Sequence, residues 1–243
     1  MDRVEPNWTV AERVCAFSTT RSGGASCGPW SSFNLGLACG DDAEAVAENH
    51  RRLADQLPAS PRWLKQVHGT DLIHLDDWQS GIQADAAWTD RPDQVAAILT
   101  ADCLPVLLAH RSDPLVAAVH AGWRGLAGGI LEQSVAALPS LPEELVAWIG
   151  PGIGAGAYEV GEPVRDTFLA CDRRLAECFV PTRPGHFLAD LKAIAASVLK
   201  RAGIETILDS GLCTAADPAR FYSYRRDQGR TGRQASLIWI RRA

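Results

Sequence analysis

The chain has 243 residues, 47% of them hydrophobic and 22% charged, with a formal net charge of -5 and a pI near 5.7. That composition suits a globular protein able to build a sizeable core without disulfide staples. The mild acidity points away from nucleic acid and anionic membrane as partners.

Val14–Ser18 reads as a strand, and a loop rich in Gly and Ser follows from Thr20 to Gly40. Asp41 with Glu44 three residues on spells a capping box. Val46, Leu53 and Leu57 give that helix an apolar face, and Pro58 stops it. Strands are expected at Trp63–Val67, Leu72–Leu75, Val95–Leu99, Pro105–Ala109 and Leu115–His120. Leu126, Ile130, Leu131, Val135 and Leu138 recur at helical spacing and predict a helix over 125–138. Leu145–Ile149 reads as a short buried strand, and a helix around 163–179 buries Val164, Phe168, Leu175 and Phe179. Asp190 caps a further helix through Lys200, with Gly203 where a C-terminal glycine belongs. Ile204–Leu208 is a late strand, and Phe221–Tyr224 with Ala235–Arg241 reads as a hairpin around a turn rich in Gly and Arg. Strands outnumber helices and do not alternate with them. The expected class is α/β (α+β), with mixed sheets and outer helices rather than a doubly wound parallel fold. With no repeat, low-complexity tract or linker, residues 1–243 are expected to form one domain.

Seven cysteines, odd in number and without a CxxC pair, exclude a zinc ribbon and a thioredoxin motif. They read as reduced thiols in the cytosol. The residues after Met1 form no apolar signal segment, and no run approaches the length of a membrane span.

Three soft metal-ligand candidates lie at the edges of apolar runs: His68 after Trp63–Val67, Cys103 before Leu104, and His120 at the end of Leu115–Val119. One thiolate and two imidazoles make a plausible zinc set, since catalytic zinc sites use three protein ligands and leave a fourth position open. Their separations of 35 and 17 residues fit no short zinc motif, so the inference depends on convergence in three dimensions. The same residues would serve a Cys-His hydrolase, with Cys103 as a thiolate activated by His120. Asp102 beside the thiol is a candidate acid/base, or a partner orienting a ligand histidine.

Phosphate or another anion finds candidates in three places. Gly122–Gly125, including Arg124, joins a buried strand to a helix whose first N–H groups are free. Arg21 sits in the flexible glycine-rich loop, and Arg225 in a stretch where aromatics alternate with arginines. From Arg220 to Ala243 seven arginines face one acid, Asp227, which suits an anionic small ligand. Two apparent motifs carry less weight. Gly24–Gly28 fits GxSxG without the strand and helix a nucleophile elbow needs. Gly152–Ala157 fits GxGxxA but does not open a helix. The strings of cytidine-type zinc deaminases and of HExxH proteases are absent.

Gln66-Val67-His68-Gly69, Thr100–Val106, His120–Gly125, Ile149-Gly150-Pro151, Tyr158–Gly161, Leu212-Cys213-Thr214 and Phe221–Arg225 occur in the order of a known family. From about Phe17 to Trp239 the chain resembles the YfiH/YlmD-type proteins, once labelled polyphenol oxidases or laccases and now described as purine nucleoside phosphorylases. The resemblance implies a four-layer α/β/β/α fold shared with the catalytic domain of cytotoxic necrotizing factor. It implies His68, Cys103 and His120 as zinc (Zn2+) ligands, with copper as the alternative metal. It also implies phosphorolysis of adenosine, inosine, guanosine and S-methyl-5'-thioadenosine, with adenosine deamination as a second reaction. Some members have been tied to copper-dependent phenol oxidation, and some to editing of peptidoglycan precursors. Six histidines, only two in suggestive settings, are too few for the several copper centres of a laccase.

Overall fold

The computed structural model describes residues 2–242. The first half runs β1 (Arg3–Val4), β2 (Val14–Thr19), α1 (Ala43–Ala54), β3 (Arg62–Trp63), β4 (Leu72–His74), β5 (Ala86–Thr89), β6 (Ala96–Thr100), β7 (Leu104–His110) and β8 (Val116–Ala121). It continues with α2 (Trp123–Ala127), α3 (Ile130–Ala137), β9 (Leu145–Ile149), β10 (Glu159–Gly161) and α4 (Glu162–Cys171). The chain closes with β11 (Phe179–Arg183), β12 (His186–Ala189), α5 (Leu191–Arg201), β13 (Thr206–Asp209) and β14 (Gln234–Ile240).

A five-stranded sheet has the order β1-β2-β14-β6-β3, and a six-stranded sheet the order β13-β9-β7-β8-β5-β4. A small antiparallel sheet, β10-β12-β11, stands apart from both. The two large sheets are mixed. In the six-stranded one the outermost pairs are parallel and the middle is antiparallel.

Strand alternation builds the layers. On β7, Leu107 and Ala109 face the space between the large sheets, where they meet Ile98, Ile238 and Trp148. Leu104, Val106 and Leu108 face the other way, onto a cluster with Leu126 of α2, Ile130 of α3, Phe168 of α4 and Ile194 of α5. Ala97, Leu237 and Trp239 point outward from the five-stranded sheet and pack with Leu53 of α1. Both faces of β7, β8, β9 and β14 are therefore covered, and every residue in them is buried. The result is the expected four layers: helix, sheet, sheet, helices.

Several expected elements change. The first helix is capped by Asp42, whose carboxylate accepts the Ala45 N–H at 2.8 Å, while Asp41 accepts the N–H of Asp42. The helix expected over 125–138 is two helices, broken at Gly129, which takes φ +91°. Its apolar spacing survives because α2 and α3 cover the same sheet face. The helix expected over 163–179 ends at Cys171, and a 3-10 turn follows over Arg173–Cys178. The strand expected over Trp63–Val67 stops at Trp63. Beyond it the Gln66 amide imitates a ladder, donating to Leu99 O and accepting from Leu99 N, both at 2.8 Å. The late hairpin is not formed. Residues 221–233 are turns and irregular chain, and β14 pairs with β2 and β6 from the first half of the sequence. The short strands β1, β5, β10, β11 and β12 carried no recognised signal.

Leu107 is fully buried between the sheets. Leu107→Ala is expected to cost about 2–5 kcal/mol, through lost transfer energy and the cavity left behind. Leu141→Ala, at a 64% exposed position, should change stability by less than about 0.5 kcal/mol. Urea midpoints of the two variants check this.

Candidate metal centre

Strand register brings the three ligand candidates together. β7 and β8 pair antiparallel with Leu104 opposite Ala121 and Pro105 opposite His120. Cys103, one residue before β7, therefore stands across from Gly122, one residue after β8. β5 and β8 pair with Ala86 opposite Val119, which brings Asp85 beside His120. The His120 N–H donates to Asp85 O at 2.7 Å. His68 arrives on the loop between β3 and β4, and that loop is tied down where Asp85 N donates to Asp71 O at 3.0 Å.

The Asp85 carboxylate is the centre of this arrangement. It is fully buried and accepts N–H bonds from Val67 at 3.1 Å, His68 at 3.0 Å and Gly69 at 2.8 Å. It also lies 2.7 Å from His120 Nδ1. Three successive backbone N–H groups aimed at one anion form a nest. That nest draws His68 into φ +60°, a left-handed backbone that an ordinary side chain rarely adopts. Burial pushes the Asp85 carboxyl upward, but the His120 bond and the backbone donors outweigh it and hold the carboxyl below its usual range. With Nδ1–H of His120 donated to Asp85, Nε2 is the nitrogen left to face a metal.

The ligand atoms of His68, Cys103 and His120 all lie within 4.8 Å of one another. Cys103 Sγ is 3.7 Å from His68 Nε2. A tetrahedral ion with Zn–S of about 2.3 Å and Zn–N of about 2.0 Å would separate sulfur and nitrogen by about 3.5 Å. The donor set therefore fits a zinc-sized ion. The two imidazoles sit edge to face, with centroids 4.8 Å apart at 73°. Gly122 makes room for His68 and Cys103, because a Cβ there would lie 2.8 Å from His68 Cδ2 and 3.0 Å from Cys103 Sγ. His120 is buried, Cys103 half-buried and His68 exposed. The centre opens to solvent on the His68 side, which is where a fourth ligand or a substrate would enter. No other group of three His, Cys, Asp or Glu residues with such geometry is found among the described residues.

Charge within the centre is strongly organised. Burial alone would raise the Cys103 thiol, but the charge of His120 and the bonds from both imidazoles overcome it, lowering the thiol to about 6. Burial would likewise depress His120, yet Cys103 and Asp85 hold it at about 9. Without a metal the two form a thiolate–imidazolium pair, and a metal would take the place of the imidazolium proton.

The other expected residues divide. Asp102 does not orient a ligand histidine, because Asp85 does. The Asp102 side chain instead accepts from Thr214 Oγ1 at 2.6 Å and from the Arg225 N–H at 2.7 Å. It thereby ties the segment before Cys103, itself at φ +91° at Asp102, to the Arg225 turn. Arg225 is exposed, with its Cζ 4.9 Å from the Tyr158 ring and one N–H on Glu159 O at 2.8 Å. Arg124 is exposed and lies over Trp123 at 4.5 Å. Neither arginine has a carboxylate partner among the described residues. Arg21 spends its donors on Ser31 O at 2.8 Å and Pro218 O at 3.1 Å and stacks on Tyr222, so it works as a loop clasp. Much of the late arginine cluster is also structural: Arg226 holds Asp227 and the carbonyls of Thr214 and Phe221, and Arg220 holds Asp217. Ser26, in the GxSxG string, accepts from Asn49 at 2.9 Å inside its loop.

Asp85 is the residue that sequence reasoning missed. One signal was available: a single acid among Ala84, Ala86 and Ala87, in a stretch where every neighbour is fully buried.

Comparison with known proteins extends over the whole chain. Residues 15–241 match the family described as multi-copper polyphenol oxidoreductase laccase. A protein of Pseudomonas aeruginosa named as a purine nucleoside phosphorylase is 48% identical over 236 residues, covering 97% of each chain. The purine nucleoside phosphorylase YfiH of Escherichia coli is 44% identical over 240 residues, covering 98% of each. A crystal structure of a Neisseria meningitidis protein superposes with a TM-score of 0.95 at 42% identity, covering all of both chains.

Asp85→Asn removes the buried charge and turns one acceptor into a donor facing other donors. Zinc affinity is expected to fall about 10–100-fold, measured by competition with a chromophoric chelator. Affinity equal to that of the unaltered protein would show that the carboxylate does not set the ligand geometry.

Proposed function

The chain belongs to the multi-copper polyphenol oxidoreductase laccase family, the family of the YfiH purine nucleoside phosphorylases, and we propose that it is itself a zinc-dependent purine nucleoside phosphorylase. The observation that carries the reading is the convergence of His68, Cys103 and His120 into one solvent-open donor set, in a chain whose relatives of the same length bear that name. The substrates proposed are adenosine, inosine, guanosine and S-methyl-5'-thioadenosine, with adenosine deamination as a second activity of the same centre. Zinc is the proposed metal, and copper the alternative.

Bound to the two imidazoles and the thiolate, zinc supplies a Lewis acid at the open side of the centre. The chain's own residues bind and orient. Arg124 and Arg225 have no carboxylate partner and hold the phosphate through charge-assisted N–H bonds. Asp102 braces the Arg225 turn against the Cys103 segment, which keeps the anion in register with the centre. In phosphorolysis a phosphate oxygen forms a bond to the ribose C1' as the C1'–N9 bond breaks. The purine leaves with that electron pair and ends with the proton the phosphate carried. Positive charge builds on the ribose meanwhile, and a fixed phosphate anion beneath it stabilises that charge. Gly122 lines the centre as the close wall that admits the His68 ring and the Cys103 sulfur. Arg21, committed to loop carbonyls, takes no part.

A second reading is favoured by one observation. Asp85, His120 and Cys103 follow one another as carboxylate, imidazole and thiol, with the thiol lowered to about 6. That order suits a Cys-His hydrolase in which Cys103 attacks an amide or ester carbonyl, as editing of a peptidoglycan precursor would require. A metal would then inhibit. Phenol oxidation at several copper centres finds no second ligand cluster among the described residues. No helix there is long and apolar enough to cross a membrane. The seven cysteines are unpaired, which suits the cytosol as the proposed location.

Adenosine, inosine and S-methyl-5'-thioadenosine assayed with and without phosphate test the proposal. Free base is expected only when phosphate is present, with ammonia from adenosine as the second activity. Chelation should abolish base release and zinc restore it. His68→Ala and Cys103→Ala should each lower kcat/KM at least roughly 100-fold. Phosphate-independent base release would contradict phosphorolysis, and amide cleavage by metal-free protein would favour the hydrolase.

A further inference from the structure

Tyr158 lies beside the Arg225 turn, which is hydrogen-bonded to the residue before Cys103, and its hydroxyl has no hydrogen-bond partner among the described residues. Its backbone is fixed on two sides: Ala189 N donates to Tyr158 O at 2.9 Å, and Arg225 Nη1 donates to the adjoining Glu159 O at 2.8 Å. The Arg225 guanidinium covers the ring at 4.9 Å. The N–H of that same arginine is held at 2.7 Å by Asp102, the residue before Cys103. The half-buried ring is thus locked between the small three-stranded sheet and the Arg225 turn, while its oxygen has no hydrogen-bond partner among the described residues. Tyr222 differs: its hydroxyl donates to Trp30 O at 2.6 Å.

The groups packed around the ring identify what its hydroxyl would bind. Burial first, then the thiolate of Cys103, push the phenol up, and Arg225 and Arg124 pull it back, leaving it at about 12. At neutral pH it keeps its proton and acts as a donor. A rigid O–H donor beside Arg225, with Arg124 near enough to act on it through charge and neither guanidinium matched to a carboxylate among the described residues, calls for an anion with several acceptor oxygens. We propose that Tyr158 Oη donates to the phosphate held by Arg124 and Arg225, as the third side chain of the anion subsite. This rests on the phosphorolysis reading for the identity of the anion. Three donors on three oxygens leave the fourth free to meet the ribose. A neutral donor also fixes the anion's orientation without cancelling the charge it must present to the ribose.

Inorganic phosphate is the probe, added to zinc-loaded protein without nucleoside. The chain has three tyrosines, so labelling of tyrosine Cζ gives three carbon signals, and Tyr158→Phe assigns the one of interest. In the unaltered protein phosphate should move the Tyr158 signal and leave the Tyr222 signal in place. In Tyr158→Phe, calorimetry should show phosphate binding weakened roughly 10–100-fold, the loss of one hydrogen bond to a charged group. Adenosine affinity, zinc content and thermal midpoint should be unchanged, and the KM for phosphate should rise more than kcat falls. A Tyr158 signal unmoved at saturating phosphate, or equal phosphate affinity in the variant, overturns the proposal. So does a parallel loss of zinc, which would make the role structural. If phosphate moves the signal while no nucleoside is cleaved, the phosphorolysis reading fails and the anion subsite stands.

Discussion

One buried carboxylate organises this molecule's chemistry. Asp85 accepts three successive backbone N–H groups from the His68 loop and faces the ring nitrogen of His120. An isolated carboxylate buried this completely would cost several kcal/mol or neutralise itself. Four donors offset that cost and keep it ionised. The same bonds hold His68 in a left-handed backbone, a conformation worth about 1–3 kcal/mol of strain. Two of the three candidate ligands, both of them histidines, are therefore positioned by one group.

The layered fold makes this group possible. Asp85 immediately precedes β5, a short strand that begins with two alanines and lies between β4 and β8. The carboxylate is fully buried there, beside three fully buried alanines. The third ligand is fixed differently. Cys103 takes its place from the β7–β8 register and from the brace of Asp102 to Thr214 and Arg225. The two frames share β8 and meet at the ligand atoms, where a side chain at Gly122 would press on His68 and Cys103. Outside the trio the surface turns cationic through Arg124 and Arg225, where an anionic co-substrate would enter. Binding there and metal-centred chemistry share one wall, because Asp102 is joined by peptide bond to Cys103 and by hydrogen bond to Arg225.

Much of this was legible in the residues. The candidate trio stood out because soft donors at the edges of apolar runs are rare, and mixed sheets with outer helices followed from strands that do not alternate with helices; the four layers were implied by the family resemblance. What escaped was long-range in origin. The hairpin expected near the C-terminus looked sound locally, yet β14 is buried on both faces and takes its partners from β2 and β6. No local pattern encodes that pairing. Of the two roles expected of Asp102, the orienting of a ligand histidine falls to Asp85, because adjacency to Cys103 in sequence gave Asp102 no path to an imidazole. Arg21 looked free in a glycine-rich loop, but the loop folds back and engages its guanidinium with two backbone carbonyls. The break at Gly129 was invisible to periodicity, since both helices present the same apolar face.

X-ray absorption at the metal edge, on protein purified without added metal, tests the central claim most directly. The account requires a single class of bound ion with one sulfur and two imidazole nitrogens in its inner sphere, at one ion per chain. A sphere lacking sulfur, or a signal well below one ion per chain that zinc cannot raise, would contradict it.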